Sequence, residues 1–365
     1  MVMQDGGAVD VRPDPDPGRA AQEHSGGYLA AGLCLALCGG ALAAWTVYDT
    51  VQRGAGAGDF VESLFNPGAF AATQVVGPGE WAFAVALLVV AVLLLAQRRV
   101  ARTAALLCGF VLLAAALREG VGLLEPAYRA QYSSDPRGGW ALATHGLGLV
   151  TALVVPAALF PATERRGRAP GRAREGGVRT GTGSRPGPDA RTGLAPGGWW
   201  RRPSRICGVL FLVLGVARLA WTAWDLMSGR LAAARYLRGV IDAAVPGDLR
   251  LAATAGFTTV GTVIALLLLG GLAFRGRRDV RGALLVCAAV QLYLTVRGVV
   301  WLTVSGFFNH AFDTVTGALS MALTAYALAA TTSVVVLATG RVWGPYGGVR
   351  PEACRAAPDG RYGER

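Results

Sequence analysis

One arginine lies deep within a long apolar segment of the chain. Arg218 is well inside a run that begins near residue 205 and ends near residue 227. A charge in a hydrocarbon core costs several kcal/mol unless it is compensated, so such a residue indicates a functional site. Its guanidinium could bind an anion or a carboxylate. The alternative is a structural arginine that bonds backbone carbonyls or extends to the membrane interface.

Three more polar residues could share a site with Arg218. Asp225 follows it by about two helical turns and lies on the same helix face. Gln291 is midway along another apolar run, and His145 is near the outer end of a further one. We predict that these four residues line a ligand-binding cavity open to the exterior.

Four charged residues end apolar segments on the outer side. Asp49 and Asp225 end two of them, and Arg118 and Arg297 end two others. Opposite charges at one depth are natural partners, because pairing lowers the cost of holding them near lipid. The sequence therefore predicts the structural pairs Asp49–Arg118 and Asp225–Arg297. The alternative is four separate interfacial residues whose side chains reach water.

Several kinds of chemistry are disfavoured by composition. All 35 basic residues are arginine, so a lysine Schiff base or a P-loop lysine is impossible. The sequence shows no metal-ligand spacing and no nucleophile with a base, so we expect no cofactor and no metal, and a membrane enzyme is the weakest of three functional hypotheses. Glu119 adjoins Arg118, but we assign it no role because its second-half counterpart is Gly298. Cys34 and Cys38 share a helix face and are interpreted as small packing residues rather than a metal or redox pair.

Apolar runs long enough to cross a bilayer position these residues. A span needs about 20 apolar residues, and in lipid it must be helical. Hydrophobic residues make up 53% of the chain. The sequence predicts an all-α integral membrane protein with eight transmembrane helices, at 28–48, 80–97, 100–118, 139–161, 205–227, 251–274, 281–303 and 314–339.

The chain also repeats itself. Residues 32–49 correspond to 208–225, with Trp45, Thr46 and Asp49 recurring as Trp221, Thr222 and Asp225. Residues 97–108 correspond to 276–287 at an offset of 179. An even number of spans per unit makes the duplication parallel. We therefore predict two parallel four-helix repeats, at 28–161 and 204–340.

The segments outside the repeats are polar and rich in Pro, Gly and Arg. Residues 1–27 are predicted to be a disordered tail, 162–203 a disordered linker, and 341–365 a short tail. Arginines concentrate between spans 2 and 3, in the linker, between spans 6 and 7, and after span 8. This asymmetry predicts a multi-pass cell-membrane protein with both termini cytoplasmic.

The formal charge of +12 reflects this topology. We expect the lipid bilayer as partner, anionic lipid at the basic linker, and no nucleic acid. The first external loop of each repeat, at 59–68 and 235–247, is predicted to form a helix on the outer membrane surface, or else a solvated loop helix.

Two functions fit these observations. The parallel repeats and the asymmetric Arg218 favour a transporter or permease-like protein for a small anionic or amphiphilic molecule of unknown identity. The absence of a second charge at the depth of Arg218 favours a non-catalytic accessory or scaffold subunit. A wet cavity shared by the four polar residues would indicate the transporter, and a packed interior would indicate the scaffold.

Overall fold

The computed structural model describes residues 20, 22–69, 76–161, 201–229, 232–243, 251 and 254–340. In these ranges the fold is all-α. Short 3-10 turns occur at Gln22–His24, Arg278–Val280 and Phe307–Asn309. The α-helices are α1 (Ser25–Gln52), α2 (Ala57–Phe65), α3 (Pro78–Leu95), α4 (Ala101–Gly122), α5 (Pro126–Ser134), α6 (Gly138–Leu159), α7 (Arg201–Met227), α8 (Ala233–Ile241), α9 (Ala255–Phe274), α10 (Arg281–Val304) and α11 (Val315–Thr339).

In the described part of the chain, eight helices are long and apolar enough to cross a membrane. They are α1, α3, α4, α6, α7, α9, α10 and α11, and they confirm the eight predicted spans to within a few residues. Residues 1–19, 162–200 and 341–365, which include most of the predicted tails and linker, lie outside the described residues.

The long helices pack in two halves, α1–α6 and α7–α11. In the first half α1 packs on α3 and α6, and α4 packs on α6. In the second half α7 packs on α9 and α11, and α10 packs on α11. Each half has its own apolar core, and the two halves meet mainly where α4 contacts α10.

Glycines on α1 and α7 allow close contact with the next spanning helix. A Cβ at Gly32 would be 3.1 Å from the Leu95 side chain. At Gly208 it would be 2.5 Å from the Phe274 backbone nitrogen and 2.8 Å from the Gly270 carbonyl oxygen. Small residues at such crossings bring helix backbones together in membranes.

An arginine at the start of α4 and of α10 caps the last helix of its own half. Arg102 Nε donates to the Leu159 carbonyl oxygen at 3.1 Å. Arg281 Nε donates to the Ala338 carbonyl oxygen at 2.6 Å. The last carbonyls of a helix have no intrahelical partner, so each bond satisfies one of them.

The short helices α2 and α8 confirm the helices predicted in the two external loops. Each contacts the opposite half. The Tyr293 hydroxyl of α10 donates to the Leu64 carbonyl oxygen of α2 at 2.8 Å. Arg118 Nη2 of α4 donates to the carbonyl oxygen of Asp242, directly after α8, at 3.2 Å. Their position on the membrane surface stays a prediction.

Candidate functional site

A cavity of about 290 Å³ lies between the two halves. Its walls come from α1, α3, α4 and α6 of the first half and from α9 and α10 of the second. Most of the lining is apolar. The polar and thiol residues in it are Cys38, Glu80, Cys108, Thr144, His145, Thr258, Thr262, Cys287 and Gln291. An apolar cavity with a few polar groups is the usual form of a small-molecule site.

Gln291 is the most buried polar side chain in this lining, at 4% exposure. Its Nε2 donates to Thr262 Oγ1 at 3.2 Å, which fixes the amide against α9. Its Oε1 is buried without a hydrogen-bond partner among the described residues. An unsatisfied buried acceptor costs about 1–3 kcal/mol, which a ligand with a hydrogen-bond donor would recover.

His145 lies on α6 and also faces the cavity. Its Nε2 is buried without a hydrogen-bond partner among the described residues and lies 3.9 Å from Glu119 Oε2. The neighbouring Thr144 hydroxyl accepts a hydrogen bond from Trp45 Nε1 at 2.9 Å, which ties α6 to α1. The imidazole is therefore the link between the cavity and a buried carboxylate.

That carboxylate, Glu119, belongs to a polar cluster which sequence reasoning missed. It is 5% exposed, and its Oε1 accepts hydrogen bonds from Tyr128, at 2.6 Å, and from Tyr132. The two tyrosine rings meet edge to face with centroids 5.4 Å apart. Burial, and then the bond to Glu119, raises the pKa of both hydroxyls.

The cluster depends on α5, a helix of nine residues that the sequence analysis did not predict. Two signals were present: Pro126 at the first turn, and tyrosines one helical turn apart, which share a helix face. The comparison with Gly298 led us to assign Glu119 no role. That argument assumed that both repeats carry the same chemistry.

Arg118 lies beside the cavity. Its side chain is buried, and its guanidinium carbon is 5.3 Å from the centroid of the Phe257 ring, which lines the cavity. Nη2 donates to the Asp242 carbonyl oxygen, whereas Nε is buried without a partner among the described residues. Arg118 thus joins α4 to α8 and α9 by one hydrogen bond and one cation–π contact.

The structure brings two of the four predicted ligand-binding residues together. Gln291 and His145 line the same cavity, whereas Arg218 and Asp225 are not part of its lining. Arg218 is half-buried on α7 and interacts electrostatically with Cys287, a lining residue. Asp225 is half-buried further along the same helix, and its carbonyl oxygen accepts from the Ser228 hydroxyl at 3.2 Å.

The charged residues of the predicted pairs have other contacts. Asp49 Oδ1 lies 3.8 Å from Arg53 Nε, one turn along α1. Arg297 is half-buried, interacts electrostatically with Tyr293, and has a buried Nε without a hydrogen-bond partner among the described residues. The pairs Asp49–Arg118 and Asp225–Arg297 stay predictions.

Five cysteines lie in the described ranges. Cys34, Cys38, Cys108, Cys207 and Cys287 are free thiols. The described residues contain no cluster of three or more His, Cys, Asp or Glu with the geometry of a metal site.

Comparison with known proteins adds nothing to this geometry: no protein family, no curated protein and no solved structure matches the chain.

Proposed function

We propose that the protein is a permease-like carrier for a small amphiphilic molecule, built from two parallel four-helix repeats. The ligand would bind in the cavity between the repeats, with its apolar part against the aliphatic wall and its polar group on Gln291 and His145. The observation that carries this proposal is the buried, unpartnered Oε1 of Gln291 in the wall of an otherwise apolar cavity.

The duplication is supported by contacts that recur at matching positions. The hydrogen bond from Arg102 to Leu159 has the same spacing as that from Arg281 to Ala338. All four positions fit the offset of 179 that relates the sequences. A shared sequence with a shared long-range contact is what a tandem repeat predicts.

Two further glycines repeat a second contact. A Cβ at Gly138 would lie 2.0 Å from the Tyr132 carbonyl oxygen. At Gly317 it would lie 2.2 Å from the Ala311 carbonyl oxygen. Here too the same offset of 179 relates both members of the contact. The chain entering α6 and α11 thus follows the same path against its preceding segment.

Arg218 and Asp225 would act from behind the cavity wall. The Arg218 charge reaches Cys287, so it favours a ligand whose polar end carries negative charge at that side. In this arrangement Gln291 and His145 contact the ligand, and Arg218 biases its orientation.

The scaffold hypothesis predicts a packed interior between the halves. A cavity of about 290 Å³ lined by six helices does not fit that expectation. Accordingly, we rank a non-catalytic accessory subunit second.

A cavity-filling substitution tests the site. Gly261 lines the cavity on α9, and a Cβ there would meet no atom within 4 Å. Gly261→Leu should leave the protein folded and abolish thermal stabilisation by 1-decanol and decanoate in lipid nanodiscs, because the side chain occupies the ligand volume. Gly271→Leu is the matched control, since Gly271 is on the same helix, has equally open space, and is not in the lining.

A second variant tests the polar contact. Gln291→Leu introduces the residue found at the equivalent Leu112. It should keep or raise stability, because a buried unsatisfied amide is removed, and weaken decanol binding. Counterflow of labelled decanoate in proteoliposomes then distinguishes a carrier from a binding protein. Unchanged binding in both Gly261→Leu and Gln291→Leu would refute the site.

The orientation is tested separately. In a cysteine-free background, a cysteine at position 66 should react with an impermeant maleimide from outside, and one at position 185 only from inside. External labelling of position 185 would overturn the proposal that both termini are cytoplasmic. We further propose that the linker at 162–203, which lies almost entirely outside the described residues, binds anionic lipid through its arginines.

A further inference from the structure

The polar cluster around Glu119 divides its hydrogen bonds unevenly between the two carboxylate oxygens. Oε1 accepts from both Tyr128 and Tyr132. Oε2 faces His145 Nε2 at 3.9 Å, too far for a strong hydrogen bond and near enough for a strong electrostatic interaction. One oxygen is therefore held by fixed donors, and the other faces a group that can gain or lose a proton.

The tyrosines are donors and keep their protons. Burial and the bond to Glu119 raise the pKa of both hydroxyls far above neutral pH. The group of the cluster that can exchange a proton is consequently the His145 imidazole. Imidazole is the side chain that changes charge most readily near neutral pH.

Other charged groups face this pair from several elements. Arg118 precedes Glu119 on α4 and interacts with both members. Asp242, after α8, interacts with Arg118. Glu80 of α3 lines the cavity that His145 also lines. An imidazolium at His145 would be repelled by the permanent charge of Arg118, and the Glu119 carboxylate beside it would offset that repulsion.

The second half has no counterpart of this cluster at the matching positions. At the offset of 179, its four members correspond to Gly298, Phe307, Ala311 and Thr324. The helix contacts of the two halves are otherwise alike, so the four-helix unit folds without these polar groups. Buried polar clusters that packing does not require are usually kept for a function.

We propose that Glu119 and His145 form a proton-binding site at the outer end of the cavity. Uptake of one proton from the external solution converts the His145 imidazole into an imidazolium beside the carboxylate, and release restores the neutral ring. Because His145 also lines the cavity, the proton changes its Nε2 from an acceptor into a donor towards a bound molecule. The coupling between proton binding and ligand binding rests on the proposed function, whereas the proton site itself does not.

Nuclear magnetic resonance of a single-histidine protein tests the site without any ligand. The chain has only His24, His145 and His310, so His24→Asn with His310→Asn leaves one imidazole. We expect its ring signals to titrate reversibly in nanodiscs. Glu119→Gln should lower the pH midpoint of the His145 titration by about one pH unit or more, because the imidazolium loses the anion beside it.

Two controls keep this result interpretable. Glu80→Gln removes a carboxylate from the same cavity and should leave the midpoint nearly unchanged. Tyr132→Phe keeps the carboxylate and removes one donor, so its effect should be smaller than that of Glu119→Gln. If His145 does not titrate in the folded protein, or titrates identically in Glu119→Gln, the proton site does not exist.

The coupling is measured with 1-decanol, which has no titratable group of its own. Calorimetry in two buffers of different ionisation enthalpy should show proton exchange on binding, and His145→Thr, the residue at Thr324, should abolish it. Decanol binding without proton exchange would refute the coupling. Absence of decanol binding to the wild-type protein would refute the proposed function, while the single-histidine titration still decides the proton site.

Discussion

The two halves are alike at the ends where α4 and α10 begin and differ at the ends where these helices finish. They are called the inner and outer ends here, after the predicted topology. On the inner side, Arg102 and Arg281 cap α6 and α11 through the same kind of hydrogen bond. Further out, Glu119 and His145 of the first half correspond to Gly298 and Thr324 of the second. Polar groups at the inner ends thus serve packing common to both halves. The cavity and its polar residues depend on residues that the two halves do not share.

The largest effect is expected where a charge is buried. Arg118 is buried and Arg297 is half-buried, so Arg118→Asp should cost about 3–5 kcal/mol of unfolding free energy and Arg297→Asp less. Equilibrium unfolding in mixed detergent measures both. An equal loss of unfolding free energy in Arg118→Asp and Arg297→Asp would mean that the two arginines are equally important for stability, despite their different burial.

The same variants test the predicted pairs. Adding Asp49→Arg to Arg118→Asp, or Asp225→Arg to Arg297→Asp, should restore part of the folded yield, because an ion pair of reversed sense replaces the original. The mismatched combination of Arg118→Asp with Asp225→Arg is the control and should restore nothing. Double variants no more stable than Arg118→Asp or Arg297→Asp alone would show that the pairs do not form.

A moderate effect is expected at the glycine crossings. A methyl group at Gly208 would lie 2.5–2.8 Å from backbone atoms of α9, whereas at Gly32 it would lie 3.1 Å from the Leu95 side chain and 3.3 Å from the Ala91 carbonyl oxygen. Gly208→Ala should therefore cost about 1–3 kcal/mol and Gly32→Ala clearly less. Gly271→Ala, in open space, is the reference for intrinsic helix propensity. The reverse order in thermal unfolding would contradict the closer packing of the second half.

A smaller and equal effect is expected at the arginine caps. Arg102→Gln and Arg281→Gln each remove a hydrogen bond from a charged donor to a helix carbonyl, worth about 1.5 kcal/mol. Arg205→Gln, at an exposed position of α7, should cost almost nothing. Hydrogen exchange at the ends of α6 and α11 locates the loss. Unequal losses of unfolding free energy in Arg102→Gln and Arg281→Gln would argue against an equivalent hydrogen bond in both halves.

The smallest effect on stability is expected for Arg218→Leu, which introduces the residue at Leu42. Leucine suits an apolar environment, so the unfolding free energy should hold or rise slightly. Stabilisation by decanoate should fall while stabilisation by decanol remains, because the remote positive charge favours only the anion. A strongly destabilised variant that still binds decanoate would instead make Arg218 a structural residue.

The sequence predicted the spanning helices well because length and apolar content decide them. It predicted Gln291 and His145 in one cavity, since both break the apolar pattern in segments that must pack together. It placed Arg218 within an apolar helix and could not tell which neighbour that side of α7 would face. Spanning helices are apolar on all sides, so they carry little information about orientation.

The Glu119 cluster could not be predicted for a different reason. Its partners Tyr128 and Tyr132 lie on α5, a short helix in a polar loop where apolar periodicity gives no signal. Only the turn between α4 and α6 brings these hydroxyls back onto the carboxylate. Comparing the two halves identifies the packing that they share, and it hides polar residues that one half alone carries.

The short helices α2 and α8 each contact the opposite half, and this has a consequence for biosynthesis. Arg118 belongs to the fourth helix to be made, and its contacts, Asp242 and Phe257, are synthesised only after α7 is complete. Until then the newly inserted first half lacks the carbonyl oxygen and the aromatic ring that Arg118 contacts in the finished fold. We expect the translocation machinery or lipid headgroups to hold the half-made protein until α8 and α9 arrive. Completion of the chain, rather than of each half, is then the event that commits it to fold.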